Sequence, residues 1–101
     1  PLTRKEIDVN AAVEEALSRH PAVVEVGVRG FPDAARGEVA VAFVVRRAGH
    51  TVTTADLRAW CKEHLAPFKV PARVVFKDEL PKSMVGKVLR RLLAEDPVTV
   101  A

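Results

Sequence analysis

Seven consecutive apolar residues at positions 39–45 constrain the fold more than any other part of this sequence. If they form a strand, one side carries Val39, Val41, Phe43 and Val45, and the other side carries Ala40, Ala42 and Val44. A strand that is apolar on both faces is typical of the centre of a sheet with a layer packed on each side. A chain of 101 residues buries roughly 60–65% of its unfolded surface, enough for one core but not for a deep cleft as well.

A helix is predicted before this strand because apolar residues recur from Val9 with helical spacing. Asp8 or Asn10 is expected to cap it, and His20 followed by Pro21 to end it. Residues 1–8 are expected to form an exposed lead-in. Alternation over residues 24–28 then predicts a half-buried strand, with a turn at residues 30–33 and a second break at Gly37.

The second half of the chain is predicted to continue as helix, strand and helix. Thr53 and Asp56 form a capping-box pattern ahead of an amphipathic helix that ends at Pro67. A short strand is predicted at residues 73–77, and a final helix from Val88 to about Glu95. The resulting order predicts an α+β domain, a small three-stranded sheet with helices packed on it.

Composition excludes several kinds of site. Cys61 is the only cysteine, so no internal disulfide or multi-cysteine zinc site is possible, and its apolar neighbours predict a core position. Trp60 is also assigned to the core. The three histidines are far apart in the sequence, and no metal site is expected. There is no apolar run long enough to span a membrane and no signal-peptide pattern, so we expect a cytoplasmic protein.

The sequence offers one candidate for chemistry, the stretch from Pro81 to Lys87. Pro81 cannot donate a backbone hydrogen bond and is expected to mark the end of the preceding strand. Gly86 allows a sharp turn and a close approach to another surface, and Lys87 follows it at the predicted junction of loop and helix. The pattern is not a P-loop, because Val88 stands where that motif has Ser or Thr.

The rest of the chain contains no Ser/His/Asp set, paired carboxylates or glycine-rich phosphate loop, so no complete reaction centre is expected. A lysine ammonium suits an anionic oxygen that gains charge during a reaction, but only where water is excluded. A functional Lys87 therefore requires another domain to close over it. Gly86 and Pro81 would support the loop that presents it.

The order of short motifs resembles the small C-terminal domain of the acyl-adenylate-forming enzymes, acyl-CoA synthetases above all. The resemblance covers roughly residues 9–95. The matching motifs are Val13-Glu14-Glu15-Ala16-Leu17, His20-Pro21-Ala22-Val23, Val28 with Gly30-Phe31-Pro32-Asp33, Gly37-Glu38, Ala42-Phe43-Val44-Val45, Leu65-Ala66-Pro67-Phe68-Lys69-Val70-Pro71, Leu80-Pro81-Lys82-Ser83 and Gly86-Lys87-Val88-Leu89-Arg90-Arg91.

This resemblance implies a lid domain at residues 9–101, after a lead-in at residues 1–8 that follows an interdomain hinge. It implies that Lys87 enters the active site of a large N-terminal domain and contacts the substrate carboxylate and ATP during adenylation. The lid then swings, and another of its faces helps to form the channel in which coenzyme A attacks. Lys87 is also the implied target of acetylation, which would remove its charge.

The same resemblance implies ATP, coenzyme A and Mg²⁺ for the full enzyme and none of them for this domain alone. Its partners are a carboxylic acid substrate and the large N-terminal domain, in cis or, as the alternative, in trans. The glycine-rich loop and Val-x-Pro segment that usually precede the first helix are missing, so no coenzyme A contact is assigned. The large domain is absent, and the chain, which begins at Pro1, is expected to be a fragment or a processed chain that is inactive alone.

A stand-alone binding module is the alternative function. The net charge is +3, and a basic cluster of Lys82, Lys87, Arg90 and Arg91 could bind nucleic acid or an acidic protein. However, the chain has no tyrosine and its few aromatic residues lie in apolar patterns, which disfavours stacking on bases. Nucleic acid is therefore not the expected partner.

Overall fold

A computed structural model describes residues 4–35, 37–82, 86, 88–89 and 92–93, with the backbone alone for residues 4–8. Helix α1 spans Arg4–Ser18, strands β1 and β2 span Val23–Asp33 and Gly37–Arg46, and helix α2 spans Thr54–His64. A 3₁₀ turn at Pro67–Lys69 leads to strand β3 at Arg73–Phe76. The predicted three-stranded α+β sheet with helices packed on it is therefore confirmed.

The sheet has the order β1-β2-β3, which makes β2 the central strand. β1 and β2 are antiparallel, with Gly27 opposite Phe43 and Asp33 opposite Gly37. β2 and β3 are parallel, with Ala42 opposite Val74. Parallel neighbours need a crossover connection, and α2 supplies it.

Both faces of β2 are buried, as its apolar run predicts. Ala42 and Val44 belong to a first core between the sheet and the two helices, which also contains Leu17 of α1 and Leu57 of α2. Val41 and Phe43 belong to a second core on the opposite face, together with Leu80 and Leu93 from the C-terminal part of the chain. A chain this small thus covers its central strand with helices on one side and with its own C-terminal segment on the other.

Three predicted boundaries are wrong. α1 begins at Arg4, so Asp8 and Asn10 lie inside the helix rather than capping it. Residues such as Arg4, Lys5 and Glu6 favour helix and extend it beyond the amphipathic repeat. The predicted turn at residues 30–33 is instead the end of β1, where Phe31 pairs with Val39.

Pro32 is tolerated at the end of β1 because β1 is an edge strand with a neighbouring strand on one side only. A residue without a backbone N–H group is acceptable there, whereas in a central strand it would remove a hydrogen bond between strands. The chain turns just after it. The carboxylate of Asp33 accepts a hydrogen bond from the Ala35 N–H at 2.8 Å, and Gly37 has a positive φ of 84°. The predicted break at Gly37 is therefore confirmed.

The third wrong boundary is the final helix. Val88 forms an antiparallel bridge with Lys82, so the chain is extended there and no α-helix begins at Val88. The Leu92 N–H donates to the Leu89 carbonyl at 3.0 Å, which is a tighter turn than an α-helix makes. The predicted helix end near Glu95 lies outside the described residues.

The predicted capping box at the start of α2 is present in full. The Thr53 hydroxyl accepts from the Asp56 N–H at 3.1 Å, and the Asp56 carboxylate accepts from the Thr53 N–H at 2.9 Å. These hydrogen bonds, that from the Thr53 backbone above all, lower the pKa of Asp56 below its ordinary value of 3.8. α2 ends at His64, before Pro67, which begins the 3₁₀ turn instead.

Replacing Thr53 with alanine is expected to reduce the free energy of unfolding by about 1 kcal/mol, because a helix N–H loses its acceptor. Urea unfolding of both proteins measures the difference. The Asp56 carboxylate stabilises the fold above pH 3.8 and ceases to do so as the pH falls through its lowered folded pKa. The alanine variant keeps the backbone N–H at position 53, so both proteins should lose this contribution in acid; a free energy of unfolding that stays constant as the pH falls below 3.8 would contradict the reciprocal box.

Candidate functional site

The segment that contains the predicted site forms a hairpin on the second face of the sheet. One arm is Pro81 and Lys82 and the other is Val88 and Leu89; we call this segment, residues 81–89, the Gly86 hairpin. Its arms are joined by the Lys82–Val88 bridge and by a hydrogen bond of 2.8 Å from the Leu89 N–H to the Pro81 carbonyl. Residues 83–85 and 87 lie outside the described part of the chain.

Gly86 adopts the left-handed conformation that the sequence led us to expect at a sharp turn. Its φ is +85°, a conformation that residues with a Cβ rarely adopt, and, its chain neighbours aside, no atom of the described residues lies within 4 Å of the position where a Cβ would be. The need for glycine here is therefore conformational and not a matter of space. Gly86 itself is exposed, and Lys87 is the next residue in the sequence.

Pro81 has a different role from the one predicted. β3 ends at Phe76, well before Pro81, so Pro81 does not stop that strand. It is half-buried and follows Leu80, which is part of the second core, and its carbonyl accepts the hydrogen bond from Leu89. Pro81 thus contributes to the base of the hairpin through its carbonyl oxygen, which accepts this hydrogen bond although the residue has no backbone N–H group.

The base of the hairpin rests on β1. A Cβ on Gly27 would lie 2.8 Å from Val88 Cγ1 and 3.0 Å from Leu93 Cδ1, so only glycine leaves the space that these side chains fill. Arg29 Nη1 donates to the Leu93 carbonyl at 2.8 Å. The Lys82 ammonium forms an ion pair with the Glu25 carboxylate. Three positions of one strand therefore hold the hairpin and the residues that follow it.

The predicted basic cluster is only partly described. Lys82 is paired with Glu25, so its charge is compensated rather than presented to solvent for a nucleic acid. Lys87, Arg90 and Arg91 lie outside the described residues, and the catalytic role expected for Lys87 stays a prediction. Glu25 could not be identified from the sequence, because no local pattern connects it to a lysine so distant along the chain.

A histidine–tryptophan cluster was also missed. The ring of Trp60 stacks on His64 with centroids 4.2 Å apart and meets the edge of His20 at 4.7 Å. Trp60 Nε1 donates to the Ala16 carbonyl at 2.8 Å, and His20 Nδ1 accepts from the Ala22 N–H at 3.0 Å. The cluster ties α2 to α1 and packs on the first core, so the assignment of Trp60 to the core is confirmed.

The described residues contain no group of three or more His, Cys, Asp or Glu side chains placed to hold a metal ion. They also contain no helix that is long and apolar enough to cross a bilayer. A shallow groove of about 440 Å³ lies between α1, β2 and the 3₁₀ turn. Phe68 lines it and is 66% exposed, which the sequence did not indicate.

Cys61 is fully buried, as predicted, and burial raises the pKa of its thiol from 9.0 to about 11, against a smaller opposing effect of Arg58.

We expect iodoacetamide at pH 8 to alkylate the Cys61 thiol of the folded chain at least about 100-fold more slowly than that of the urea-unfolded chain, since only the thiolate reacts. The unfolded state loses this proton first, so stability should also fall as the pH rises from 9 towards 11. Equal alkylation rates would contradict the burial of Cys61.

Comparison with known proteins identifies the family. The family described as AMP-binding enzyme C-terminal domain matches residues 12–87, so its last matched residue is Lys87. A long-chain-fatty-acid–CoA ligase of Bacillus subtilis is 50% identical over 84 residues, which are 83% of this chain and 15% of that protein. A 2-succinylbenzoate–CoA ligase of Geobacillus kaustophilus is 48% identical over 83 residues, 82% of this chain and 17% of the ligase.

Solved structures agree with the sequence comparison. ATP-bound MatB from Rhodopseudomonas palustris superposes with a TM-score of 0.78 at 36% identity over 82% of this chain and 16% of MatB. o-Succinylbenzoate CoA synthetase (MenE) from Bacillus subtilis, in complex with its acyl-adenylate intermediate OSB-AMP, gives 0.79 at 39% identity over 86% of this chain and 18% of MenE.

The fold and sequence together define an α+β domain of the adenylate-forming ligases. This chain belongs to the AMP-binding enzyme C-terminal domain family. It spans less than a fifth of the length of the relatives described above, which are CoA ligases.

Proposed function

We propose that this chain is the mobile C-terminal lid of an acyl-CoA synthetase. The complete enzyme would activate a carboxylic acid with ATP to an acyl-adenylate and then transfer the acyl group to coenzyme A. The names of the relatives support this reaction, and similar structures bind ATP and an acyl-adenylate. The observation that carries the proposal is the Gly86 hairpin, anchored on β1 and exposed at Gly86, immediately before the last residue that the family matches.

In this proposal Lys87 supplies a positive charge to the adenylation step. The carboxylate attacks the α-phosphate of ATP, and negative charge shifts to the phosphate oxygens and the leaving pyrophosphate. An ammonium group within hydrogen-bond distance stabilises that charge by roughly 3 kcal/mol where water is excluded, and by almost nothing in open water. The proposal therefore requires a partner that encloses Lys87.

The large N-terminal adenylation domain is that partner. It would bind the acid and ATP in the first step, and after rotation of the lid another face of this domain would help to admit coenzyme A. We propose that the two domains lie in one polypeptide; a separately encoded large domain is the alternative, and restored activity on mixing two chains would support it. Mg²⁺ is proposed for the complete enzyme together with ATP, as the resemblance implies.

The cytoplasmic location expected from the sequence and the acetylation of Lys87 stay predictions. The stand-alone binding module is not favoured, because the proteins compared above are ligases and Lys82 is already paired. A salt-dependent DNA titration of the chain addresses that reading directly. Binding at low salt that weakens with added salt would support the stand-alone binding module.

The proposed function is tested by measuring the two half-reactions of the complete ligase separately after Lys87→Ala. Pyrophosphate release from ATP reports adenylation, and thioester formation from preformed acyl-adenylate reports the second step. A slower first step with an unchanged second step supports the proposal. Equal losses in both steps would contradict the assignment of Lys87 to adenylation.

A further inference from the structure

We infer that the Glu25–Lys82 ion pair positions the Gly86 hairpin, so that Glu25 and Lys82 are positioning residues for adenylation. This inference rests on the function proposed for Lys87 and names the side chains that hold the described arms of the hairpin. Neither residue needs to touch the substrate. Their role would be to fix the direction in which the hairpin leaves the sheet.

The register of the sheet places Glu25 on the correct face. Glu25 is opposite Val45 in the ladder, and directly opposed residues share a face. Val45 packs on the second core, where the hairpin also lies. The carboxylate of Glu25 therefore points to the side of the sheet that carries Lys82.

Two more residues of the same strand face this side and hold the later arm and the chain just beyond it. Gly27, opposite Phe43, leaves the space for Val88, and Arg29, opposite Val41, binds the Leu93 carbonyl. Glu25 holds the earlier arm through Lys82. The two arms therefore contact alternate positions of β1. Among the described residues, the Glu25–Lys82 ion pair is the side-chain contact that attaches the first arm to this strand.

Loss of this link should alter geometry more than stability. The side chains of Lys82 and Glu25 are 39% and 23% exposed, and ion pairs with that much exposure contribute little to folding. The bridge to Val88 and the core residue Leu80 would still keep the hairpin closed. A reacting group that moves by about 1 Å can nevertheless lose up to about 100-fold in rate.

The experiment compares Glu25→Gln, Lys82→Met and the double variant in the complete ligase. We expect each single variant to lower kcat for adenylation about fivefold to tenfold, with the KM values for ATP and the acid nearly unchanged. Since both changes break the same link, the double variant should be no slower than either single variant. Lys82→Arg keeps the charge and should retain most of the activity.

The second half-reaction separates a positioning role from a general structural role. A structural defect would slow both half-reactions, whereas a positioning role in adenylation slows only the first. Thioester formation from preformed acyl-adenylate should proceed at the normal rate in all these variants. The matched control is Glu15→Gln, which breaks the exposed Glu15–Arg19 pair at 3.9 Å at the end of α1 and should leave both half-reactions unchanged. Parallel losses in both half-reactions would overturn the positioning role.

The outcomes also separate this inference from the function on which it rests. If Lys87→Ala slows adenylation but Glu25→Gln does not, the inference is wrong and the proposed function stands. If Lys87→Ala has no effect, the proposed function is wrong as well. If the losses caused by Glu25→Gln and Lys82→Met multiply in the double variant, Lys82 acts independently of Glu25, and the inference is wrong.

Discussion

Replacing Lys87 with alanine in the complete ligase is expected to slow adenylation by about 100-fold, which corresponds to roughly 3 kcal/mol of transition-state stabilisation. The rate should fall because no other cation replaces the ammonium at the phosphate oxygens once the site is closed to water. The loss should appear in kcat more than in KM if the contact forms mainly in the transition state. Single-turnover release of pyrophosphate measures it.

Two further substitutions at this position refine the result. Lys87→Gln removes the charge as acetylation would, and should be as slow as Lys87→Ala. Lys87→Arg keeps the charge but presents a planar guanidinium instead of a compact ammonium, so only partial activity is expected. Lys77→Ala, a lysine that follows β3 outside the hairpin, is the control and should leave adenylation unchanged. Full activity of Lys87→Gln would contradict a role for the charge.

The parts of the fold that could be predicted from the sequence are those in which local pattern and tertiary packing agree. The apolar run at residues 39–45 predicted a strand buried on both faces, and the two cores confirm it. Thr53 and Asp56 predicted the helix start because a capping box acts within four residues. The short strand predicted at residues 73–77 is present as β3, with Val74 in the first core and Phe76 packed against it.

The C-terminal segment could not be predicted because its spacing fits two structures. Val88, Leu89, Leu92 and Leu93 would share one face of a helix, which is what the sequence indicates. In the structure Leu93 is 2% exposed and Leu92 is 54% exposed, so they do not share a buried face. The decisive factor is the space beside Gly27, which accepts Val88 and Leu93 and outweighs their local preference.

The sequence predicted Gly86, at the turn of the hairpin, but not the residues that hold the hairpin on the sheet. Gly86 was identified from the sequence because a positive φ favours glycine wherever a turn needs it. The ion pair between Glu25 and Lys82 and the contact of His20 with Trp60 join residues from distant parts of the chain. No short-range pattern encodes such pairs, and only the arrangement of β1 and the helices brings them together.

Replacing Phe43 with alanine is expected to have the largest effect on stability, a loss of about 3–5 kcal/mol in the free energy of unfolding. Phe43 is 0% exposed and lies at the centre of β2, where its ring is 6.0 Å from that of Phe31. It shares the second core with Leu80 and Leu93, which flank the Gly86 hairpin on either side. Removing the ring leaves a cavity that rigid strands cannot close. Urea unfolding of the chain, followed by circular dichroism, measures the loss.

Phe68→Ala is the matched control, since it makes the same chemical change at a side chain that is 66% exposed. The Lys69 ammonium lies 5.7 Å from the centre of that ring, so we expect a cost of no more than about 1 kcal/mol. If Phe43→Ala does not fold, Phe43→Leu leaves a smaller cavity and should cost about 1–2 kcal/mol. Equal costs for Phe43→Ala and Phe68→Ala would show that the C-terminal segment does not cover the second face of the sheet. The hairpin would then lack the base from which Lys87 is proposed to reach its substrate.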